Sequence, residues 1–376
     1  MEPKVALVID YLSEYGGAER VLETLHSMYP TATVFTSTYD AEALPPELKS
    51  WTIKTLNVEK LPLYSKLAKH YTFLYPVLFE SLDLSEFDIV ISSSTSWAKS
   101  VITKPKQLHV CYLHTPPRFL YKYSSESSKR DKWYYKPFLL YVDHFLRYWD
   151  FIAAQRPDFI VANSQEVARR IKKFYRRDST VIYPPVNVNR ELIITEGSHR
   201  FGQDYFICVS RLARYKNIHL LIEAFNNLDL PLRIIGSGKD EAFLKKLIRR
   251  DIALIGKASE KDLNLMLQKA KAFVFPVRDE DFGIAPIEAM SYGKPVLAHR
   301  SGGPLETIEE GKTGMFFDDL SVEGIVKAVA NFNTMINAST FDSMYIKNSV
   351  QKYDERNFRE SFKSFVDSKW QEKTGR

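Results

Sequence analysis

The chain has 376 residues, 45% of them hydrophobic, 13% aromatic and 26% charged, with a formal net charge of +6. That length exceeds one ordinary domain and suits two of about 180 residues, each with enough apolar side chains to fill a core. The balance excludes an extended disordered chain and favours anionic partners, with nucleic acid set aside for want of zinc-ligand spacing, an aromatic RNA-binding signature or a concentrated Lys/Arg stripe.

The apolar run Val5–Ile9 reads as a first strand, too short and without a cleavage site for a signal peptide. Further strands are read at Thr33–Phe35, Asp88–Ser92, Leu108–Leu113, Phe159–Ala162 and Thr180–Tyr183. After Pro184-Pro185 and a polar stretch come Tyr205–Val209, Leu232–Ile235, Ile252–Ile255, Ala272–Phe275 and Pro295–Ala298. Helical patterns separate these runs, which predicts α/β architecture with two parallel sheets. The boundary is expected between Pro184 and Gly202, giving domains 1–190 and 191–376. The tail helix, with Phe358, Phe362, Phe365 and Val366 at helical spacing, suits either domain. Cys111 and Cys208 lie in apolar runs, as small buried hydrophobes of a reducing cytosol do, so a cytoplasmic location is expected. No segment approaches the roughly 18 to 20 apolar residues that span a bilayer.

In chain order, the first candidate site is Ser13-Glu14-Tyr15-Gly16-Gly17-Ala18-Glu19, where Gly16 and Gly17 open a helix after the first strand and let backbone approach a phosphate. Ser92-Ser93-Ser94-Thr95 reads as turn and cap chemistry. His114 closes the strand Leu108–Leu113 and suits a sugar hydroxyl, while Arg118, four residues on, suits an acidic or diphosphate group of an acceptor. Arg211 and Lys216 follow the strand Tyr205–Val209, at the edge where open α/β sheets bind ligands, and together match a diphosphate.

The most informative stretch is Asp279-Glu280-Asp281-Phe282-Gly283-Ile284-Ala285-Pro286-Ile287-Glu288, which sets two carboxylates around a turn and a helix start. Pro286 suits the first helical position, and Gly283, with Phe282, Ile284 and Ala285 beside it, brings backbone N–H groups to a diphosphate. Glu288, placed in the first turn, suits ribose hydroxyls, and Glu280 the hydroxyls of a transferred sugar. Gly311-Lys312-Thr313 lacks the first glycine of a phosphate-binding loop, where Glu306 stands, so an ATPase is rejected. Asp279-Glu280-Asp281 resembles an Asp-x-Asp metal motif, but its Glu280 has the sugar role, so no metal is expected.

These motifs together resemble the retaining glycosyltransferases of family 4. The likeness runs nearly end to end and rests on Glu280 to Glu288, on Ser210-Arg211-Leu212 with Lys216-Asn217, on Gly16-Gly17-Ala18-Glu19 and on Ser301-Gly302-Gly303-Pro304-Leu305-Glu306. His114-Thr115-Pro116-Pro117-Arg118 resembles the WbaZ-type mannosyltransferases that build surface polysaccharides, with departures at Pro117 and Tyr121-Lys122, in the implied acceptor region.

The resemblance implies the GT-B fold, two Rossmann-like domains with parallel sheets facing across a cleft, and an acceptor on the first domain. It implies a nucleotide-sugar donor, GDP-mannose first, held mainly by the second domain through Arg211, Lys216, Glu280 and Glu288, with Gly16 and Gly17 meeting its phosphates. His114, Glu280, Arg211 and Lys216 would carry catalysis, without cofactor or metal, toward a saccharide or lipid-linked saccharide. A UDP-sugar donor, an epimerase or hydrolase, and a non-catalytic sugar-nucleotide sensor are the alternatives. The aromatic and basic stretches Lys60–Phe79 and Lys129–Trp149 add an expectation of peripheral contact with a membrane surface.

Overall fold

A computed structural model describes residues 3–42, 44–56, 74–123, 136–189 and 204–375. The chain divides into unit 1, Met1–Pro185 with Glu355–Arg376, and unit 2, Val186–Asp354. The tail therefore belongs with the first unit.

In unit 1 the described residues form strands β1 (Val5–Ile9), β2 (Thr33–Thr36), β3 (Ile53–Thr55), β4 (Ile89–Ser94), β5 (Leu108–Leu113), β6 (Phe159–Ala162) and β7 (Thr180–Val181). They pair in parallel in the order β3-β2-β1-β4-β5-β6-β7. Helices α1 (Gly17–Met28), α2 (Tyr75–Glu80), α3 (Lys136–Ala153) and α4 (Gln165–Tyr175) fill the crossovers. In unit 2, strands β8 (Phe206–Val209), β9 (Leu232–Ile235), β10 (Ile252–Gly256), β11 (Ala272–Phe275), β12 (Val296–His299) and β13 (Gly314–Phe317) make a second parallel sheet, ordered β10-β9-β8-β11-β12-β13. Its helices are α5 (Ile218–Asn226), α6 (Glu241–Leu247), α7 (Glu260–Lys269), α8 (Ile284–Ser291), α9 (Pro304–Thr307), α10 (Val322–Asn337) and α11 (Ser343–Ser349). The last helix, α12 (Glu355–Thr374), lies in unit 1.

β1, β4 and β5 are buried along their whole length, as central strands covered by helices on both faces must be; β1 reads as an unbroken apolar run and β5 as one interrupted only by His109, while the second half of β4 is serine. Two strands escape the sequence reading. β3 is a three-residue, half-exposed edge strand, and β13 begins with a glycine that looks like a turn. A Cβ on Gly314 would lie 2.1 Å from the Val296 carbonyl oxygen, so glycine is what lets β13 close on β12. α12 packs Phe358 and Phe362 edge-on against Tyr112 of β5, with ring centroids 5.7 and 6.0 Å away. That contact fixes the side of the chain on which the tail rests. The stretch 57–73, which carries most of Lys60–Phe79, lies outside the described residues.

Ser92, Ser93 and Ser94 are buried residues of β4 rather than a turn, which corrects the sequence reading. Only Thr95 begins the loop, and it is met by a buried acid at the end of β1. Asp10 accepts hydrogen bonds from the Thr95 N–H and hydroxyl and from the N–H groups of Ser96, Trp97 and Ala98, all at 2.5 to 2.9 Å. One carboxylate thus satisfies a partly buried loop, and charge-assisted bonds of this kind are roughly twice as strong as neutral ones. Asp10→Ala is expected to cost about 3 kcal/mol by orphaning these donors, a fall of roughly 6 to 12 °C in the melting of unit 1. Asp10→Asn should recover part of it. An unchanged calorimetric transition would refute this account.

Candidate active site

In each sheet the strand order reverses at one place, between β1 and β4 and between β8 and β11. Crossovers leave such a pair in opposite directions, so the loops at their carboxyl ends part and leave a crevice. In unit 2 those loops carry Lys216 after β8 and Glu280 after β11.

The structure brings the two together: Lys216 Nζ donates to Glu280 Oε2 at 2.6 Å, with 12% and 18% of the side chains exposed. Burial, the largest single influence, works against the Lys216 charge, but the Glu280 carboxylate together with Tyr215 and Asp281 outweighs it, so the ammonium is held above its ordinary range. Lys216 ends a 3-10 turn, Arg214–Lys216, after which Asn217 takes a left-handed conformation (φ 59°) and starts α5. The Asn217 side-chain amide donates to the Pro276 carbonyl at 3.0 Å, tying the β8 loop to the β11 loop. Gly236, at the end of β9, holds a further constraint, because a Cβ there would stand 1.9 Å from the Ser210 carbonyl oxygen. Neither Asn217 nor Gly236 was given a role from sequence. Arg211 is exposed two residues after β8.

Gly283 caps α8 with φ 93°, a conformation that side chains other than glycine's rarely allow. The helix begins at Ile284, so Pro286 stands third rather than first, still among the positions whose N–H would have no helical partner. With proline third, the donors at this terminus are the N–H groups of Gly283, Ile284 and Ala285. Glu288 is fifth, in the second turn rather than the first, and is buried. Phe282 is buried against Tyr353, with ring centroids 5.5 Å apart.

In unit 1, Gly16 caps α1, but its N–H donates to Glu19 Oε2 at 2.8 Å. An anion arriving there meets a carboxylate already in place, so the phosphate role of Gly16 and Gly17 requires Glu19 to move. His114 follows β5, and its Nε2 lies 2.8 Å from Ser93 Oγ on the neighbouring strand. Burial, opposed in part by Asp10, pushes the imidazole down to about 4, so it is neutral near pH 7. Ser93, missed in a serine run, sets its orientation. Arg118 lies over the Tyr123 ring at 5.8 Å, and the buried Arg170 of α4 lies over the same ring at 4.2 Å while donating to Thr115 Oγ1 at 3.2 Å. Arg170 joins the candidate acceptor residues, which sequence spacing gave no means of finding.

The family model described as Glycosyltransferase Family 4 matches residues 15–190, and the one described as Glycosyl transferases group 1 matches 189–338. Among curated relatives, the uncharacterized glycosyltransferase MJ1178 of Methanocaldococcus jannaschii is 30% identical over 45% of this chain and 48% of its own length. The chain thus spans about half of that protein. The alpha-1,3/1,6-mannosyltransferase alg2 of Schizosaccharomyces pombe is 26% identical over 80% of this chain and 68% of its own. The O-antigen chain mannosyltransferase C of Escherichia coli is 23% identical over 92% and 91%. The solved structure of Anabaena Alr3699/HepE in complex with UDP superimposes with a TM-score of 0.71 at 17% identity, covering 97% of this chain and all of that one. The fold is GT-B, and the chain belongs to glycosyltransferase family 4.

The buried histidines make unit 1 sensitive to acid. His109 Nε2 lies 2.9 Å from Ser92 Oγ, and burial pushes that ring to about 3. Both rings are depressed below the ordinary 6.5, so the unfolded chain binds protons that the folded chain refuses. Their contribution to stability is complete above pH 6.5 and is lost as the pH falls toward 4, on the order of 3 kcal/mol for each ring. Denaturant midpoints measured from pH 7 to 4 should fall accordingly, and His109→Asn should flatten the slope. A midpoint independent of pH would contradict these environments.

Proposed function

We propose that this protein transfers a hexose, with mannose from GDP-mannose the first choice, to a saccharide or lipid-linked saccharide acceptor with retention of configuration. The observation that carries the reading is the Lys216–Glu280 contact at the switch point of sheet 2. The matched mannosyltransferases, one spanning 91% of its own length, support the sugar and the glycan-building role.

On this reading the donor diphosphate meets Lys216, Arg211 and the N–H groups of Gly283, Ile284 and Ala285, and its ribose meets Glu288. Glu280 accepts from hydroxyls of the sugar, and Lys216 keeps that carboxylate in place. As the bond from the anomeric carbon to the phosphate oxygen breaks, negative charge grows on the diphosphate, where Lys216 and Arg211 stabilise it. The acceptor hydroxyl attacks the same face, and its proton passes to the departing phosphate oxygen. No enzymic nucleophile is required. The fixed positive charge serves the leaving group without a metal. Neutral His114, held by Ser93, orients a sugar hydroxyl, and Arg118 with Arg170 meets an anionic group of the acceptor.

Calorimetry with GDP, UDP, ADP, GDP-mannose and UDP-glucose, first in EDTA and then with magnesium, tests donor and metal together. GDP and GDP-mannose should bind equally in both, whereas uridine preference would move the donor to a UDP-sugar. Lys216→Ala should weaken nucleoside diphosphate binding by about tenfold or more and cut transfer by 10²-fold or more. Glu280→Ala should cut transfer while leaving binding of free nucleotide nearly intact. Full activity in both variants would remove the site.

Peripheral membrane contact belongs to the same reading, with α3 the proposed docking helix. Leu140, Tyr141, Phe145, Tyr148, Phe151 and Ile152 are 38 to 67% exposed. At 100° per residue they fall within an arc of about 140°, while Asp143 and Asp150, the acids of this helix, are buried on the other side. A solvated helix shows the reverse pattern. Beside its carboxyl end, where Arg177 of the following loop donates to the Ala154 carbonyl, α4 exposes the basic residues Lys172 and Lys173, followed by Arg176. Apolar and aromatic residues flanked by positive charge suit an anionic lipid surface. Among the described residues no helix is long and apolar enough to cross a membrane. Flotation with phosphatidylserine vesicles should recover the protein, and Tyr141→Ser with Phe145→Ser and Tyr148→Ser should lower recovery about tenfold. Absence of flotation, or indifference to the triple change, would dismiss it.

A further inference from the structure

The Glu280 loop has a backbone that does not hold itself. Asp279 stands at φ 55°, a left-handed conformation that costs a side-chain-bearing residue roughly 1 kcal/mol, and persists only where neighbours over-determine it. The neighbours come from the loop after β12. The Asp279 N–H donates to Ser301 Oγ at 2.9 Å, and the Gly303 N–H donates to the Glu280 carbonyl at 2.8 Å. A Cβ on Gly302 would lie 2.2 Å from the Glu280 carbonyl oxygen, and one on Gly303 would lie 2.4 Å from the Phe282 Cα. Ser-Gly-Gly therefore grips Glu280 from both sides, and only glycines permit the approach.

Ser301 is itself aimed. His299 Nδ1, at the end of β12, lies 2.8 Å from Ser301 Oγ. A serine hydroxyl has one proton and two lone pairs, so Ser301 Oγ accepts from the Asp279 N–H while sharing a second hydrogen bond with His299 Nδ1. The chain of bonds runs from His299 through Ser301 to the peptide that sets the direction of Glu280.

We propose that Ser301, oriented by His299, is a positioning residue that fixes Glu280 for the transferred sugar, an inference that rests on the sugar role of Glu280. Ser301 touches no reacting atom and acts through the Asp279 peptide. A Glu280 carboxylate loosened by an ångström still forms its pair with Lys216, so nucleotide binding survives while the geometry needed for transfer is lost.

Three readouts on the full chain test it. Hydrogen exchange of the peptide covering 278–283 should quicken in Ser301→Ala and return toward the parent rate in Ser301→Thr, which keeps the hydroxyl; unchanged exchange overturns the proposal without reference to activity. Release of GDP from GDP-mannose, or of UDP from UDP-glucose where calorimetry selects uridine, should show kcat lowered about 10- to 100-fold in Ser301→Ala, with nucleoside diphosphate affinity within about twofold. His299→Leu should shift kcat the same way. In a Glu280→Ala background, Ser301→Ala should add nothing further, since the residue it positions is gone. An undiminished kcat, or an equal loss in both backgrounds, overturns positioning through Glu280. If Glu280→Ala alone keeps full turnover, the sugar role fails and the proposal falls with it, whatever exchange shows.

Discussion

A parallel sheet sends every strand out at the same edge, and the hand of the crossover connections decides where along that edge a gap can open. Both sheets here reverse their order once, at β1/β4 and at β8/β11. The residues with chemical potential follow from that constraint. Lys216 and Glu280 are far apart in sequence, yet they trail neighbouring strands that pair at Ala272 with Phe206 and Phe273 with Ile207, and so their side chains meet. Asp10 and Thr95 meet in the same manner after β1 and β4. The register of each central strand pair brings the two loops together, and in unit 2 the left-handed Asn217 and Asp279 then shape them.

The charged groups delivered there differ in purpose. Lys99 and Asp150 form an ion pair at 2.6 Å with almost no exposure, and Tyr121 donates to the other Asp150 oxygen at 2.8 Å. A pair so deeply desolvated gains little net stability, but losing one partner strands a charge, so it specifies how β4, its following turn and α3 come together. Asp10 organises four backbone N–H donors and the Thr95 hydroxyl. Lys216–Glu280 is the exception, being partly open to solvent at the carboxyl edge of its sheet. Its ammonium has donor capacity beyond Glu280, and on the proposed reading a diphosphate takes it up.

Much of this was legible in the residues, and what was hidden had physical reasons. β1 and most of β5 were visible because burial on both faces favours apolar runs, whereas the buried serines that end β4 hid that part of the strand. That Lys216 and Glu280 belong to one candidate site was read from their positions after strands and from the spacing of Glu280 and Glu288, but their direct ion pair was not, because the adjacency of β8 and β11 is set by the fold. Asp10 was invisible because a lone acid at a strand end carries no spacing signal; its five donors come from a loop 85 to 88 residues away. Ser93 was misread because a run of serines looks like a turn unless one knows that β5 lies alongside to hydrogen-bond and cover it. The tail helix showed its apolar face in periodicity, but which sheet that face covers depends on Tyr112, and no local pattern encodes a partner at that separation.

The two units also divide the electrostatic labour unequally. α1 begins with paired glycines, the form expected of a phosphate cradle, yet Glu19 occupies its Gly16 N–H and contributes a negative charge at the positive end of the helix. α8 has a glycine cap as well, but no acid in its first turn, because Glu288 falls one turn later. The second terminus therefore keeps its positive end uncompensated from within, beside a lysine already held above its ordinary range. An anionic leaving group gains more from preorganised positive charge than from a terminus that must first expel a carboxylate. On the proposed reading, that difference favours unit 2 for the diphosphate of the donor. Contact of Gly16 with a phosphate would then depend on the movement of Glu19.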